Sequence, residues 1–333
     1  MNAGQSVSER DVAAFHEDFT RLRAVLDGVL AGQGALVRDL LVAVLAGGHV
    51  LLEGPPGLGK TNLAKALARA IGVDLARIQC TPDLMPSDIT GSEVLTGGDG
   101  AREFEFRPGP VFASMVLVDE INRATPRSQS ALLEAMQERQ VTYAGTRHPL
   151  PNPFWVLATQ NPIEFEGTYP LPEAQLDRFM TKLRVDYPAR AALVELAART
   201  LDAEPADSVE LVLAPARLQQ MMAQARAVVV SRDIVEAAAA LVLATHPDGD
   251  GASAVARAHL RYGASPRALQ ALLRQARIHA LADGRGHVCR DDLLAGALPV
   301  LRHRVLLGID SELADVAADA VLVQILAEWT QRN

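Results

Sequence analysis

Length and charge set the first limits on this chain. It has 333 residues, of which 49% are hydrophobic, and a net charge of −8, from 32 lysines and arginines against 40 acidic residues. This length predicts two domains, and the acidic balance argues against a broad nucleic-acid-binding surface, although a local basic channel stays open. The polar N-terminus is unlike a signal peptide, and glycines interrupt the longest apolar run before it reaches membrane length. We therefore expect a soluble, cytoplasmic protein with no membrane segment.

In chain order, the first predicted elements are helices over about 15–45, with a break at 31–34. Short apolar runs then predict five strands, and helical patterns separate most of them. The predicted strands lie at 50–52, 76–81, 115–120, 154–161 and 181–187. Strands that alternate with helices form parallel sheets covered on both faces, so we predict an α/β fold with a parallel five-stranded sheet between helices.

Two segments interrupt this alternation, and the character of the chain changes after Pro188. Residues 93–106 and 140–150 each have strand-like ends around a glycine-containing turn, which predicts two inserted β-hairpins. Beyond Pro188 the pattern is mostly helical, and one helix there should begin with Ser265 as its N-cap and Pro266 in its first turn. The predicted division is an N-terminal helical segment (1–33), a nucleotide-binding domain (34–188) and a small helical domain (189–333).

The stretch "GPPGLGKT" follows the first predicted strand and precedes a helical pattern. Glycines let a backbone bend and bring its N–H groups close to phosphate oxygens, and the N-terminus of the following helix attracts the same anion. Lys60 supplies a positive charge for the β- and γ-phosphates, and the Thr61 hydroxyl is a ligand for Mg²⁺. The predicted phosphate-binding residues are Gly54, Pro55, Pro56, Gly57, Leu58, Gly59, Lys60 and Thr61.

Polar residues end two further strands of the predicted sheet. Asp119 and Glu120 end the third strand, and Asn161 ends the fourth. Ligands of open α/β sheets bind beyond the carboxyl ends of the strands, so these residues should face the phosphate loop. Asp119 is then the second magnesium ligand, Glu120 the general base for the attacking water, and Asn161 an amide that orients this water.

Two arginines are candidates for contacts with the phosphoryl group during its transfer. Arg178 lies in "LPEAQLDRF", and its functional interpretation is a finger that stabilises phosphate charge in a neighbouring subunit. Arg267, in "SPRA", begins a helix of the small domain and would contact the γ-phosphate. The sequence leaves open whether Arg267 acts in its own subunit or in another, and a solvated surface role is the alternative for both arginines.

These motifs, in this order, resemble the MoxR-type AAA+ ATPases from about residue 32 to about residue 304. The matching stretches are "GHVLLEGPPGLGKT", "DLMPSDITGSEV", "FRPGPVFASMVLVDEINRATPRSQSALLEAMQERQVT", "VLATQNPIEFEGTYPLPEAQLDRF" and "YGASPRA". The resemblance implies an AAA+ P-loop domain followed by a small α-helical lid domain. It also implies hexameric rings, with ATP and Mg²⁺ as cofactors, that act as chaperone-like motors on a client or adaptor, often a protein with a von Willebrand A domain.

The same resemblance assigns roles to residues. Residues 54–61 are similar to Walker A, Asp119 and Glu120 to Walker B, and Asn161 to sensor 1. Arg178 resembles the arginine finger and Arg267 resembles sensor 2. Gly32 and Gln33 resemble the segment that contacts adenine, although Leu30 and Ala31 precede it where a β-branched pair is usual.

Two other functions compete with the chaperone-type motor. Relatives with the same hairpins include helicases, but the aromatic content of 4% makes stacking platforms for bases scarce. A P-loop kinase of small molecules would need neither Asn161 nor a helical lid with Arg267. The guanine-binding Asn-Lys-x-Asp motif of GTPases does not occur in the sequence. We therefore expect an ATP hydrolase, with a nucleic-acid-dependent AAA+ motor as the alternative.

Overall fold

The computed structural model of the chain describes residues 7–96, 103–162, 167–194 and 205–332. The helices are α1 (Glu9–Val29), α2 (Gly34–Leu45), α3 (Lys60–Ala70), α4 (Pro86–Thr90), α5 (Pro126–Glu138), α6 (Glu173–Leu176), α7 (Pro215–Ala227), α8 (Arg232–Ala244), α9 (Ala254–His259), α10 (Pro266–Ala282), α11 (Arg290–Leu301), α12 (Ile309–Leu313) and α13 (Ala318–Arg332). The strands are β1 (Val50–Glu53), β2 (Leu75–Gln79), β3 (Gly91–Thr96), β4 (Glu103–Pro108), β5 (Met115–Asp119), β6 (Gln140–Tyr143), β7 (Thr146–Pro149), β8 (Trp155–Gln160), β9 (Thr181–Arg184), β10 (Leu260–Tyr262) and β11 (Leu306–Leu307).

Five strands form the predicted parallel sheet, in the order β2-β5-β8-β1-β9. The register places Glu53 of β1 opposite Gln160 of β8 and Arg184 of β9. The carboxyl ends of these three strands therefore meet at one edge of the sheet, which we call the carboxyl edge. Their first residues meet at the opposite edge, the amino edge. The two edges are about one strand length apart, on the order of 13 Å for four residues at 3.3 Å each.

The strands bury side chains on both faces, as continuous apolar runs in a parallel sheet require. Val50 and Leu52 of β1 pack into the larger core, and Leu51 packs into the smaller one on the other face. The larger core also contains side chains of α1, α2, α3 and the helices after the sheet. Phe15 of α1, for example, is 0% exposed. Because these helices share one core, packing does not mark a boundary at residue 33 or 188, and the division of the chain into three parts stays a prediction.

Both predicted hairpins form, as β3 with β4 and as β6 with β7. The turn of the first hairpin, at 97–102, lies outside the described residues. The rings of Phe106 and His148 stack with their centroids 4.1 Å apart, and the Tyr143 ring lies 5.5 Å from Phe106. The two hairpins therefore pack against each other through these aromatic rings.

The region after the sheet is mainly helical, as expected, with one short antiparallel pair, β10 and β11. Helix α10 begins as predicted: the Ser265 hydroxyl accepts a hydrogen bond from the backbone N–H of Arg267, and Pro266 is the first helical residue. Among the helices of the described ranges, none combines the length and the hydrophobicity that a bilayer-spanning segment needs.

Candidate functional site

The phosphate loop connects β1 to the start of α3 at the carboxyl edge. Gly57 and Gly59 both have φ of +80°, a left-handed conformation that glycine adopts without strain. A Cβ atom on residue 59 would also lie 2.9 Å from Leu30 Cδ1, so the end of that leucine side chain would have to shift. Helix α3 begins at Lys60, directly after Gly59, and its free N–H groups therefore face the loop.

Residues from three strand ends and the loop line one cavity of about 310 Å³. The Lys60 ammonium reaches back across the loop to donate a hydrogen bond to the Gly54 carbonyl. Partial burial lowers the pKa of Lys60, while the nearby charges of Asp119, Glu120 and Glu53 act in the opposite direction. The predicted site residues that line this cavity are Pro56, Gly57, Gly59, Lys60, Thr61, Asp119, Glu120 and Asn161.

Asp119 is 6% exposed and is held by two side chains that the sequence analysis missed. Arg77 Nε donates to its Oδ2 at 2.7 Å, and the Thr159 hydroxyl donates to its Oδ1 at 3.4 Å. The sequence contained one indication of the role of Thr159, namely a hydroxyl side chain within the apolar run of β8. It contained none for Arg77, because only the pairing of β2 with β5 brings Arg77 to Asp119.

Glu120 has φ of +57°, which is uncommon for a residue with a side chain. Its backbone N–H donates to the Thr159 hydroxyl at 2.8 Å, which holds this conformation. Its carboxylate accepts hydrogen bonds from Arg123 at 3.2 Å and from Gln79 at 3.4 Å. A left-handed backbone costs energy at a residue with a side chain, so it persists only where surrounding contacts maintain it. Residues held in this way cluster at functional sites.

The donor set of this cavity fits a nucleotide with a magnesium ion. Mg²⁺ takes few protein oxygens and keeps several waters and phosphate oxygens, which suits the Thr61 hydroxyl and the Asp119 carboxylate. Buried Asn161 lies just beyond β8, and its backbone carbonyl accepts a hydrogen bond from Asn122 at 3.4 Å. Asn161 and Glu120 line the same cavity.

Gly32 and Gln33 line a separate cavity of about 550 Å³, beside Tyr187 and Pro188. Gln33 Nε2 donates to the carbonyl of Asp186 at 3.3 Å. Residues 186–188 follow β9, whose end lies next to the end of β1, so this cavity is also at the carboxyl edge. A nucleotide base and its phosphates could therefore be held along one edge of the sheet.

The structure does not bring Arg178 or Arg267 to the phosphate loop of the same chain. Both arginines line a cleft of about 240 Å³ that also includes Gly48 and His49, the residues just before β1. This arginine cleft therefore lies at the amino edge, and no residue is common to it and the phosphate-loop cavity. The Nε atom of Arg178 is buried and has no hydrogen-bond partner among the described residues.

Asp177 organises the arginine cleft, and neither Asp177 nor Arg304 was predicted from the sequence. Arg304 Nε donates to Oδ1 of Asp177 at 2.7 Å, and the Ser265 hydroxyl lies 2.8 Å from the same oxygen. Arg267 Nη1 is 3.5 Å from Oδ2. The side chain of Arg304 is only 2% exposed, so this ion pair is largely desolvated.

The fold and the phosphate site define an ATPase of the AAA+ class. The sequence model of the protein family "ATPase family associated with various cellular activities (AAA)" matches residues 49–181. The sequence model of the family "AAA lid domain" matches residues 252–324. More narrowly, the chain belongs to the MoxR family of AAA+ ATPases.

Relatives cover nearly the whole chain. The chain is 41% identical to "Chaperone MoxR1" of Mycobacterium tuberculosis over 90% of its own length and 78% of the relative's. It is 40% identical to protein YeaC of Bacillus subtilis, over 94% of this chain and 96% of that one. A crystal structure of an inferred ATPase from Cytophaga hutchinsonii superposes with a TM-score of 0.86, at 37% identity, and covers 96% of each chain.

Proposed function

We propose that this chain is a magnesium-dependent ATPase that forms a ring of identical subunits and uses hydrolysis to remodel or mature a partner protein. The observation that carries the proposal is the meeting of Lys60, Thr61, Asp119, Glu120 and Asn161 around one cavity at the carboxyl edge. Thr61 and Asp119 would hold the magnesium ion, which supplies charge neutralisation for the phosphates when bound. The relative named as a chaperone supports the partner-remodelling part of the proposal.

Each residue in the cavity then has one task. Lys60 and the N–H groups of the loop bind the phosphates. Glu120 accepts the proton of the attacking water, and its left-handed backbone, held by Thr159, aims the carboxylate into the cavity. Asn161 orients the same water with its amide.

The arginine cleft supports the ring. Arg178 and Arg267 lie at the opposite edge of the sheet from the phosphate loop of their own chain. If both act on phosphate, the phosphate is that of a neighbouring subunit. We therefore propose that both arginines act in trans, and that a hexamer is the assembly, as the family resemblance implies. A protein with a von Willebrand A domain is the partner that this resemblance suggests.

The test is the pair of variants Lys60→Ala and Glu120→Gln. Lys60→Ala should abolish ATP binding, whereas Glu120→Gln should bind ATP but turn it over about 10²–10⁴ times more slowly, the usual size of a general-base effect. Nucleotide binding and phosphate release are the two measurements, and pull-down with Glu120→Gln in ATP is the way to capture the partner. If Glu120→Gln hydrolysed ATP at the wild-type rate, Glu120 would not be the general base.

A further inference from the structure

A second cavity lies beside the arginine cleft, at the amino edge of the sheet. Its volume is about 450 Å³, and it is bounded by the end of α2, the segment before β8, and helices α7 and α10. One part of its wall is apolar and includes Leu45, Trp155 and Ile278. The rest is cationic, with Arg139, Arg226, Arg274 and Arg277, and the lining of described residues contains no carboxylate. We call this cavity the basic pocket.

The four arginines of the basic pocket lack compensating charge. No ion pair joins any of them to a carboxylate within the described ranges, in a chain whose net charge is −8. The Nε atom of Arg277 is buried and has no hydrogen-bond partner in the same part of the chain. The pKa values of Arg139 and Arg277 are lowered, first by burial and second by the positive charge of Arg274. Like charges held close together repel one another, and an anion bound between them would relieve this repulsion.

We propose that the basic pocket binds a small anion that carries several phosphate charges. Guanidinium groups match phosphate oxygens with paired hydrogen bonds, and arginine is the residue that most often provides this recognition. The volume lies in the range of pockets for small molecules, and the apolar wall offers contact area to an organic group attached to the phosphates. This site is distinct from ATP hydrolysis, since the phosphate-loop cavity is at the other edge of the sheet.

The basic pocket is also distinct from the arginine cleft, although the two share Arg139 and Arg274. Arg226 and Arg277 line only the basic pocket, whereas Arg178 and Arg267 line only the cleft. Acidic side chains of a second copy are another way to neutralise four arginines. A small anion fits better, because the unpartnered Arg277 Nε is buried inside the cavity, whereas the acidic side chains of a second copy would meet first the exposed Arg139, Arg226 and Arg274.

Calorimetric titration with inorganic tripolyphosphate tests the proposal on the full-length Lys60→Ala protein, in which the phosphate loop no longer competes for the probe. We expect binding at one site per chain. The pair Arg226→Gln with Arg277→Gln should weaken it about tenfold or more, because charge-assisted hydrogen bonds are lost. The matched control is Arg232→Gln, which removes a charge from a side chain that is 90% exposed on α8. A second titration with CTP distinguishes an organic phosphate from free polyphosphate, and binding of either supports the proposal.

Several outcomes would overturn the proposal. These are an absence of binding, equal affinity in the pair variant, or the same loss in the variant pair Arg178→Gln with Arg267→Gln, which would place the probe in the cleft. Altered assembly of the Arg226→Gln, Arg277→Gln protein in sedimentation, with unchanged tripolyphosphate affinity, would make the pocket a contact between subunits. Should Arg277→Gln fail to fold, exposed Arg226 alone carries the test, with a several-fold loss expected.

Discussion

Ser265 and Asp177 join the lid helix α10 to the segment that carries Arg178: the Ser265 hydroxyl lies 2.8 Å from the Asp177 carboxylate. The same carboxylate accepts a hydrogen bond from Arg304. One acidic side chain thus fixes the start of α10, and with it Arg267, relative to the sheet. This contact links Arg267 to the segment that carries Arg178, at the amino edge.

Removal of the Asp177 carboxylate should therefore destabilise the fold. Asp177→Ala leaves the nearly inaccessible Arg304 guanidinium with four backbone carbonyl acceptors but without its anionic partner, and removing one partner of a buried ion pair typically costs about 3–5 kcal/mol. Urea unfolding measures the loss. The control is Asp186→Ala, whose carboxylate is 80% exposed and 3.8 Å from Arg184, so its effect should stay under about 1 kcal/mol. Similar effects of the two variants would show that the Arg304 pair does not anchor the lid.

Complementation between two inactive proteins tests action in trans. A mixture of Arg178→Ala and Lys60→Ala should recover part of the ATPase activity. At an interface between the two proteins, the Lys60→Ala subunit supplies Arg178 and the Arg178→Ala subunit supplies an intact phosphate loop. A finger arginine contributes on the order of 10³–10⁵ in rate, so the separate proteins should be nearly silent. The rate is measured against the mixing ratio and the total concentration. Full activity in a wild-type monomer, independent of concentration, would contradict this arrangement.

Acid should destabilise the protein through His49. Its Nδ1 accepts a hydrogen bond from the Val156 N–H at 2.9 Å, and its Nε2 donates to the Met136 carbonyl. Burial lowers the pKa of His49 to about 4, below the usual 6.5. The unfolded chain therefore binds more protons between pH 6.5 and 4, and stability is lost as pH falls through this window, by up to about 3 kcal/mol for this group.

The measurement for His49 is the free energy of unfolding at several pH values. His49→Asn retains an acceptor for Val156 and does not titrate, so its stability should fall less steeply than that of the wild type between pH 6.5 and 4. Equal slopes would mean that His49 is protonated without cost in the folded state.

The nucleic-acid motor is tested by stimulation of the ATPase. Single- and double-stranded DNA should leave the rate unchanged, because the His148 ring stacks on Phe106 and is not free to stack on a base. The acidic net charge also weakens attraction to phosphate backbones. A several-fold stimulation by either DNA at physiological salt would favour the helicase-like alternative.

The local parts of this protein were predictable from the sequence. The phosphate loop, the five strands, both hairpins and the Ser265 cap depend on neighbouring residues, so their patterns are complete in short stretches. The approach of Lys60 to Asp119 and Asn161 also followed, because parallel strands end at a common edge. The family resemblance was confirmed by relatives named MoxR that match 90% of the chain. The cytoplasmic location stays a prediction.

Tertiary packing alone decided the rest. Asp177 and Arg304 are 127 positions apart in the chain, and nothing near either residue indicates the partner. Arg77 reaches Asp119 only because β2 pairs with β5. The subunit whose phosphate Arg267 contacts stays a prediction, but the edge of the sheet where Arg267 lies was open in the sequence, since a motif specifies a side chain and not its place in the fold. The core shared by α1 and the helices after the sheet fixes that edge, because it sets how α10 packs against the strands.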